Sequence, residues 1–265
     1  VIVILGNGQA SQHIQDDLNN RQVKYVVLSR SHWANYEELL GLIRDADPKV
    51  VINCAAQRDI ALCEEKPETS IEANVTLPEV VSAAGFKQIY LSTDYVYDLN
   101  RENRVLHEDE PSKGALSVYG ESKWQGERKV LANGGIVARI SSPFGPRKSP
   151  FKQSFVDFAA SSFKNLELPV DQHFQPTYMP EAASAIITLA LDGAPSGVYH
   201  TVNEGTTDWA TLAKFVREKI GNKYKVMPVT RKDITRPEWG NLKNTKLPKL
   251  SHWANAMMEY LDLGR

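Results

Sequence analysis

The sequence predicts an α/β fold, a doubly wound parallel sheet with a smaller C-terminal lobe, and three observations carry that expectation. Short apolar runs rich in β-branched residues recur at Val1 to Leu5, Tyr25 to Leu28, Val50 to Asn53, Gln88 to Leu91 and Gly135 to Ile140. Segments with helical potential separate them, and such alternation implies parallel strands joined by helical crossovers. The first run is followed at once by Gly6-Asn7-Gly8, a glycine turn where a strand hands over to a helix.

In chain order, Val1 to Leu5 is a continuous apolar run and reads as a buried strand, with a helix expected from Ser11 to Asn20. Tyr25 to Leu28 is the second strand, followed by a helix around Asn35 to Asp45. Val50 to Asn53 is the third, followed by a helix around Ser70 to Ala84, and Gln88 to Leu91 is the fourth. A polar stretch from Asp98 to Ser117 leads into a helix from Val118 to Leu131 and the strand Gly135 to Ile140. There a dinucleotide-binding sheet of the Rossmann type would be complete, so residues 1–141 are read as the NAD(P)-binding domain. Pro143, Gly145, Pro146 and Pro150 then mark a loop, and helices around Glu181 to Leu191 and Trp209 to Ile220 alternate with short strands. Residues 142–265 are read mainly as a substrate-binding lobe, with some segments returning to the first domain.

Composition narrows the function. The 265 residues are 42% hydrophobic and 24% charged, ordinary for a globular chain, and 31 Lys plus Arg against 32 Asp plus Glu leave a net charge of -1. No basic field is available for nucleic acid or an anionic membrane, so any phosphate must be met locally. No apolar run approaches the roughly 20 residues of a membrane helix, and the first run is too short for a signal peptide, so the cytoplasm is the expected compartment. Cys54 and Cys63 are too few and too poorly spaced for a disulfide framework or a zinc site and read as reduced thiols. No metal site is expected.

In a fold of this class ligands sit outside the carboxyl ends of the strands. After the first strand, Gly6, Gly8, Gln9 and Ala10 would let the backbone approach a pyrophosphate at a helix N-terminus, with Ser11 standing where a third glycine is usual. After the second strand an NAD enzyme usually places an acidic residue for the adenosine ribose. Here Ser29, Arg30 and Ser31 stand instead, and a guanidinium can take a 2′-phosphate in bidentate fashion. NADPH is therefore the expected cofactor, with NADH admitted, because one arginine shifts preference without excluding the other. Past the fourth strand comes Ser92-Thr93-Asp94-Tyr95, and Tyr119 and Lys123 lie four residues apart on one helical face. A phenol with a pKa near ~10 needs a nearby cation to work as an acid-base group, and Lys123 could supply one. Thr93 could then bond a substrate carbonyl whose oxygen Tyr119 protonates while hydride reaches carbon. A Tyr-x-x-x-Lys pair alone is more often a packed tyrosine beside a solvated lysine, but its company with Ser92-Thr93 argues against that. Cys63 reads as a core thiol, His107 and His173 as loop or satisfied histidines, and Trp33, Trp209 and Trp253 as packing anchors.

On these residues the chain resembles the dTDP-4-dehydrorhamnose reductase family of extended short-chain dehydrogenases. The likeness runs nearly end to end: Val51-Ile52-Asn53-Cys54-Ala55-Ala56, Glu72-Ala73-Asn74-Val75, Ser92 to Tyr97, Tyr119-Gly120-Glu121-Ser122-Lys123, Val170 to Thr177, Tyr199 to Gly205, and Asn244-Thr245-Lys246-Leu247. The resemblance implies a catalytic triad of Thr93, Tyr119 and Lys123, with Lys123 also on the nicotinamide ribose. It implies Ala55, Ala56 and Tyr119 at the cofactor and Tyr95, Gln172 and Thr177, with Thr93, at the substrate. Related epimerase-reductases place an acid-base cysteine at the position of Tyr95, so reduction without epimerisation is expected. The expected reaction is reduction of the 4-keto group of a nucleotide-linked 6-deoxyhexulose, dTDP-4-dehydro-L-rhamnose above all. The partner is thus a nucleotide sugar, and any assembly is expected to be a homodimer. Two departures stand out: the glycine loop is shorter than the family's, and Ser142 stands where the family often carries a tryptophan against the sugar. The alternative reading is a non-catalytic NADP-binding regulator resembling the β subunit of methionine adenosyltransferase. An epimerase or dehydratase lacks support, since no glutamate follows Asp94.

Overall fold

The computed structural model describes residues 1–97, 104–112, 114–146, 154–230 and 237–263. The loop position at Pro150 and the start of the polar stretch at Asp98 lie outside the described residues. The first half of the chain alternates as the sequence predicts: β1 (Ile2–Leu5), α1 (Gln9–Asn20), β2 (Tyr25–Leu28), α2 (Tyr36–Ala46), β3 (Val50–Asn53) and α3 (Ile60–Glu65). Then α4 (Pro67–Ile71) runs through a π turn at Glu72–Thr76 into α5 (Leu77–Ala83), followed by β4 (Gln88–Thr93), α6 (Val118–Ala132) and β5 (Ile136–Ile140). Local chemistry sets the helix starts. The Asn35 side chain accepts from the amides of Glu37 and Glu38 at the start of α2, and Ser117 Oγ accepts from Gly120 N at 3.1 Å at the start of α6.

The second half contributes β6 (Pro143–Phe144), α7 (Phe155–Ser161), β7 (Leu166–Pro169), β8 (His173–Phe174), β9 (Thr177–Tyr178), α8 (Met179–Leu191) and β10 (Gly197–His200). It ends with β11 (Thr207–Asp208), α9 (Trp209–Lys219), β12 (Val226–Val229) and α10 (Trp253–Asp262). The sheet is not complete at Ile140. Its six strands run β10-β5-β4-β3-β1-β2, all parallel, and β10 joins beside β5 with Gly197 opposite Ile136 and His200 opposite Arg139. The small strands pair as β11 with β8, β12 with β7 and β6 with β9.

Side-chain alternation along the strands builds the two covering layers. Ile2 and Ile4 of β1 pack with Ile14 and Leu18 of α1 and Ile186 and Ile187 of α8, while Val3 and Leu5 face Leu39, Ile43, Leu77 and Val81 of α2 and α5. Each such fully buried aliphatic side chain contributes about 1.5–3 kcal/mol against its exposed state. A separate apolar core holds the second lobe, with Phe144, Phe174, Val216, Trp253, Met257 and Tyr260 at its centre. No helix among the described residues is long and apolar enough to cross a membrane.

One contact seats α6, the helix that carries Tyr119 and Lys123. A Cβ at Gly126 would overlap the Asn74 carbonyl oxygen and lie 2.8 Å from the Tyr90 hydroxyl, which itself donates to Asn74 O at 2.8 Å. The missing side chain lets α6 rest directly on the π turn. Gly126→Ala, ordinarily a gain in helix propensity, is therefore expected to destabilise the fold by about 1–3 kcal/mol through overpacking. The measurement is the urea midpoint, and an unchanged midpoint would mean that the helix can lift off the turn without loss.

Candidate active site

The carboxyl ends of the strands open into a cavity of about 600 Å³. Of the residues singled out in the sequence, Gly6, Gly8, Gln9, Ala10, Ser29, Arg30, Ala55, Ala56, Thr93, Tyr95, Tyr119 and Lys123 all line it. A second cavity of about 500 Å³ continues from it, sharing Gln9, Arg30, Ala56, Arg58, Ser142, Pro143 and Trp209.

At one end the backbone is arranged for an anion. Gly6 has φ +95, and a Cβ there would stand 3.0 Å from Ala55 N, so the turn after β1 needs glycine to pass the turn after β3. Gly8 caps α1 with extended backbone, no side-chain cap and open space around its Cα, and the first turn of α1 holds no acidic residue. The first amides of α1 are thus left for a ligand. The turn after β3 is fixed from below by Asn53, whose Oδ1 accepts from Ala55 N at 3.0 Å while its Nδ2 donates to Gln88 Oε1 at 2.8 Å. Ser29 caps the 3-10 turn Arg30–His32 and is bonded to His32 Nδ1, which leaves exposed Arg30 as the cation at the end of β2. The glycine cradle, open helix end and arginine fit a phosphorylated dinucleotide.

At the other end stand the chemical groups. Thr93 is the last residue of β4, two residues beyond the strand end expected from the sequence. Its Oγ1 donates to Asp94 Oδ1 at 3.1 Å and accepts from Tyr95 N at 3.3 Å. The Tyr95 and Tyr119 rings meet edge to face at 5.7 Å. Burial holds the Tyr119 phenol well above its ordinary pKa, against the opposing pull of Thr93 and Arg58. Lys123 departs from the sequence expectation in orientation. Its Nζ donates to the Leu91 carbonyl at 2.6 Å and sits 3.7 Å above the Tyr90 ring, and burial brings its pKa down to about 7. The Glu127 carboxylate is the foremost influence opposing that fall, and the Arg58 charge draws the Tyr119 phenol down against its burial. Burial pushes Asp94 up to about 6, against the hydrogen bond that Ser141 Oγ donates to it at 2.8 Å.

Two expected substrate residues, Gln172 and Thr177, stand behind the lining of these two cavities. Gln172 is buried and accepts from Trp209 Nε1 at 2.8 Å, so its amide oxygen holds the indole. Thr177 is fully buried, its Oγ1 accepting from Ser141 N at 3.3 Å, while Thr177 N donates to Ser142 O at 3.2 Å. It pins the turn in which Ser142 takes φ +40 at the cavity wall. Trp209, read as a packing anchor, lines both cavities. Arg58, to which the sequence assigns no role, lines the cavity as well, with Ser92 and Asp94 beside Thr93. His173 is packed rather than free, stacked 3.6 Å from the Trp239 ring.

The family model described as RmlD substrate binding domain matches residues 1–264. dTDP-4-dehydrorhamnose reductase of Streptomyces griseus is 29% identical over 281 residues, covering 97% of this chain and 91% of the relative. The methionine adenosyltransferase 2 subunit beta of Rattus norvegicus is 34% identical over 173 residues, covering 60% of this chain and 51% of the relative. Among solved structures, dTDP-4-dehydrorhamnose reductase from Bacillus anthracis in complex with NADP superposes with a TM-score of 0.90 at 22% identity, covering 100% of this chain and 99% of that one. With the model matched over nearly every residue, the chain belongs to the RmlD substrate binding domain family.

Proposed function

We propose that the chain is an NADPH-dependent reductase of the 4-keto group of a nucleotide-linked 6-deoxyhexulose, with dTDP-4-dehydro-L-rhamnose as substrate and dTDP-L-rhamnose as product. The observation that carries the reading is the lining of one cavity by an anion-accepting glycine turn, Arg30, and the Thr93, Tyr119 and Lys123 groups. Relatives named dTDP-4-dehydrorhamnose reductase across nearly the whole chain support the reaction and its substrate class. In the division of labour that follows, residues 1–141 hold the cofactor and residues 142–265 shape the substrate end, with α8 and β10 returned to the sheet. The cytoplasm, which supplies both NADPH and nucleotide sugars, is the compartment we assign.

The cofactor, when bound, supplies the hydride to the carbon of the ketone. The chain's own groups deal with the oxygen. Tyr119, protonated at neutral pH because burial raises its pKa, holds the proton for the carbonyl oxygen. Thr93 orients that oxygen and the phenol together. Lys123, buried with a pKa brought down to about 7, is held more firmly in its charged form once a dinucleotide's negative charge lies beside it. Tyr95 flanks Tyr119 and closes the cavity wall. Ser142 leaves that wall without a flat ring at its own position.

Oxidation of NADPH followed at the nicotinamide absorbance, with enzymatically generated dTDP-4-dehydro-L-rhamnose, tests the reading. Turnover supports it. The methionine adenosyltransferase β subunits, 34% identical over 60% of the chain, favour a second reading, a regulator that binds NADP without turnover. Tight NADPH binding with no reduction of any nucleotide 4-ketosugar, together with a partner copurifying at fixed ratio, would select it. In either case Arg30→Ala is expected to weaken NADPH on the order of 10- to 100-fold while leaving NADH within about twofold, as loss of a charge-assisted phosphate contact requires. Equal weakening of both cofactors, read by nicotinamide fluorescence, would remove Arg30 from the 2′-phosphate.

A further inference from the structure

We propose that Arg58 is the diphosphate-binding residue for the substrate's nucleotide, and that the second cavity beyond it receives the base against the indole of Trp209. This deepens the reductase reading and rests on it for the nature of the ligand.

The argument begins with the cations. Among the described residues the two cavities are lined by three, namely Arg30, Arg58 and Lys123. Lys123 is buried and committed to Leu91 O. Arg30 stands at the end of β2, on the adenosine side of a dinucleotide held by the turn after β1. Arg58 remains, at the passage that the two cavities share, and its charge is felt by the Tyr119 phenol. Among the described residues its guanidinium has neither a hydrogen bond nor an ion pair, and it is exposed to the cavity. A sugar nucleotide with its keto group at Tyr119 carries its diphosphate away from that tyrosine, and an unpaired guanidinium at the exit is the group that matches it.

The loop that presents Arg58 is held rigid. Asn74 brackets its backbone, with Oδ1 accepting from Gln57 N at 3.0 Å and Nδ2 donating to Gln57 O at 2.9 Å. The same amide nitrogen donates to Ser122 Oγ at 2.9 Å, which ties the loop to α6 and so to Tyr119. On the following side the Asp59 carboxylate caps α3 by accepting from Leu62 N at 3.3 Å.

Beyond Arg58 the second cavity changes character. Its far wall is aromatic, with Trp209 4.5 Å from Phe155 and 4.0 Å from Phe174, ring centre to ring centre. Gln172 fixes the indole through Trp209 Nε1. A flat base gains from stacking on a pre-set aromatic face. This chain thus offers its stacking surface at Trp209, while Ser142 offers none.

The test is calorimetric titration of the NADPH-loaded protein with thymidine diphosphate and, separately, uridine diphosphate, which share the diphosphate and differ in the base. Wild type is compared with Arg58→Gln, Arg58→Lys and Trp209→Leu. Arg58→Gln is expected to weaken both nucleotides on the order of 10- to 100-fold, with Arg58→Lys recovering part of the loss and NADPH affinity held within about twofold. Trp209→Leu is expected to weaken both nucleotides by about 5- to 10-fold. In the turnover assay Arg58→Gln should raise KM by about the same factor as it weakens binding and lower kcat by a smaller factor, since the diphosphate contact is lost from ground and transition states alike. Undiminished nucleotide binding in Arg58→Gln overturns the proposal, as does loss of NADPH instead of nucleotide or a wild type that binds neither diphosphate. If wild type binds the diphosphates through Arg58 yet reduces no ketosugar, the subsite stands and the reductase reading falls.

Discussion

Tyr119→Phe is expected to lower turnover by about 10²- to 10⁴-fold, the range for removing a positioned general acid, while NADPH binds within about twofold of wild type. The substitution is conservative in every respect but the proton. Phenylalanine keeps the edge-to-face contact with Tyr95 at 5.7 Å and leaves Asp94 and Thr93 their own hydrogen bond. What disappears is a cavity-lining hydroxyl that holds its proton firmly: burial keeps the Tyr119 pKa raised, so the phenol arrives protonated at any neutral pH. An acid of that strength is poor in water. It becomes effective when the accepting oxygen gains negative charge as hydride arrives, because the proton then moves to an alkoxide more basic than a phenolate. A variant that binds NADPH and keeps more than about a tenth of wild-type turnover would assign the proton to another donor, and Thr93, fed by the buried Asp94 beside it, would be the one to examine.

How much of this could be read from the residues depends on the kind of signal. Val3, Ile4 and Leu5 are buried on both faces of the sheet, and burial on both faces is what makes a strand legible as an unbroken apolar run. β10 reads Gly-Val-Tyr-His, with only its middle residues apolar, so its membership in the sheet was invisible until its pairing with β5 was seen. α3 spans six residues, too few for a helical period to show. At the site, the rule that ligands gather at strand ends led to residues that do share one cavity. The rule says where a residue sits and nothing of where its side chain turns. Lys123 shares a helical face with Tyr119, as spacing requires, yet its ammonium is drawn to the Leu91 carbonyl and the Tyr90 ring. Gln172 and Thr177, taken from likeness alone, support Trp209 and the Ser141–Ser142 turn from below. Trp209 was readable as large and apolar, but which ring of an aromatic cluster faces a cavity is fixed only by tertiary packing.

Removing the carboxylate of Glu127 is expected to cost about 3–5 kcal/mol of stability, because it leaves a buried guanidinium without its counter-ion. Glu127 on α6 and Arg139 on β5 are almost wholly buried, and the pair is bidentate, with Arg139 Nε 2.9 Å from Oε1 and Nη2 2.6 Å from Oε2. Arg139 also donates to the Tyr97 hydroxyl and lies 4.6 Å from the centre of its ring. The pair clamps α6 to the sheet one turn beyond Lys123. Glu127→Ala should therefore lower the urea midpoint sharply, whereas the joint replacement Glu127→Leu with Arg139→Met, which removes both charges, should recover most of the loss. If the double variant is no more stable than the single one, the penalty comes from packing and not from the stranded charge. Glu127→Gln separates the electrostatic consequence for the site. Glu127 is the foremost influence raising the pKa of Lys123 against burial, with Cys54 a lesser one, so without its charge that pKa falls further below about 7. The ammonium then loses its proton at lower pH, and the alkaline limb of the kcat/KM profile should move toward acid while the acid limb stays in place. A profile that does not move would mean that the charge on Lys123 is not needed for turnover.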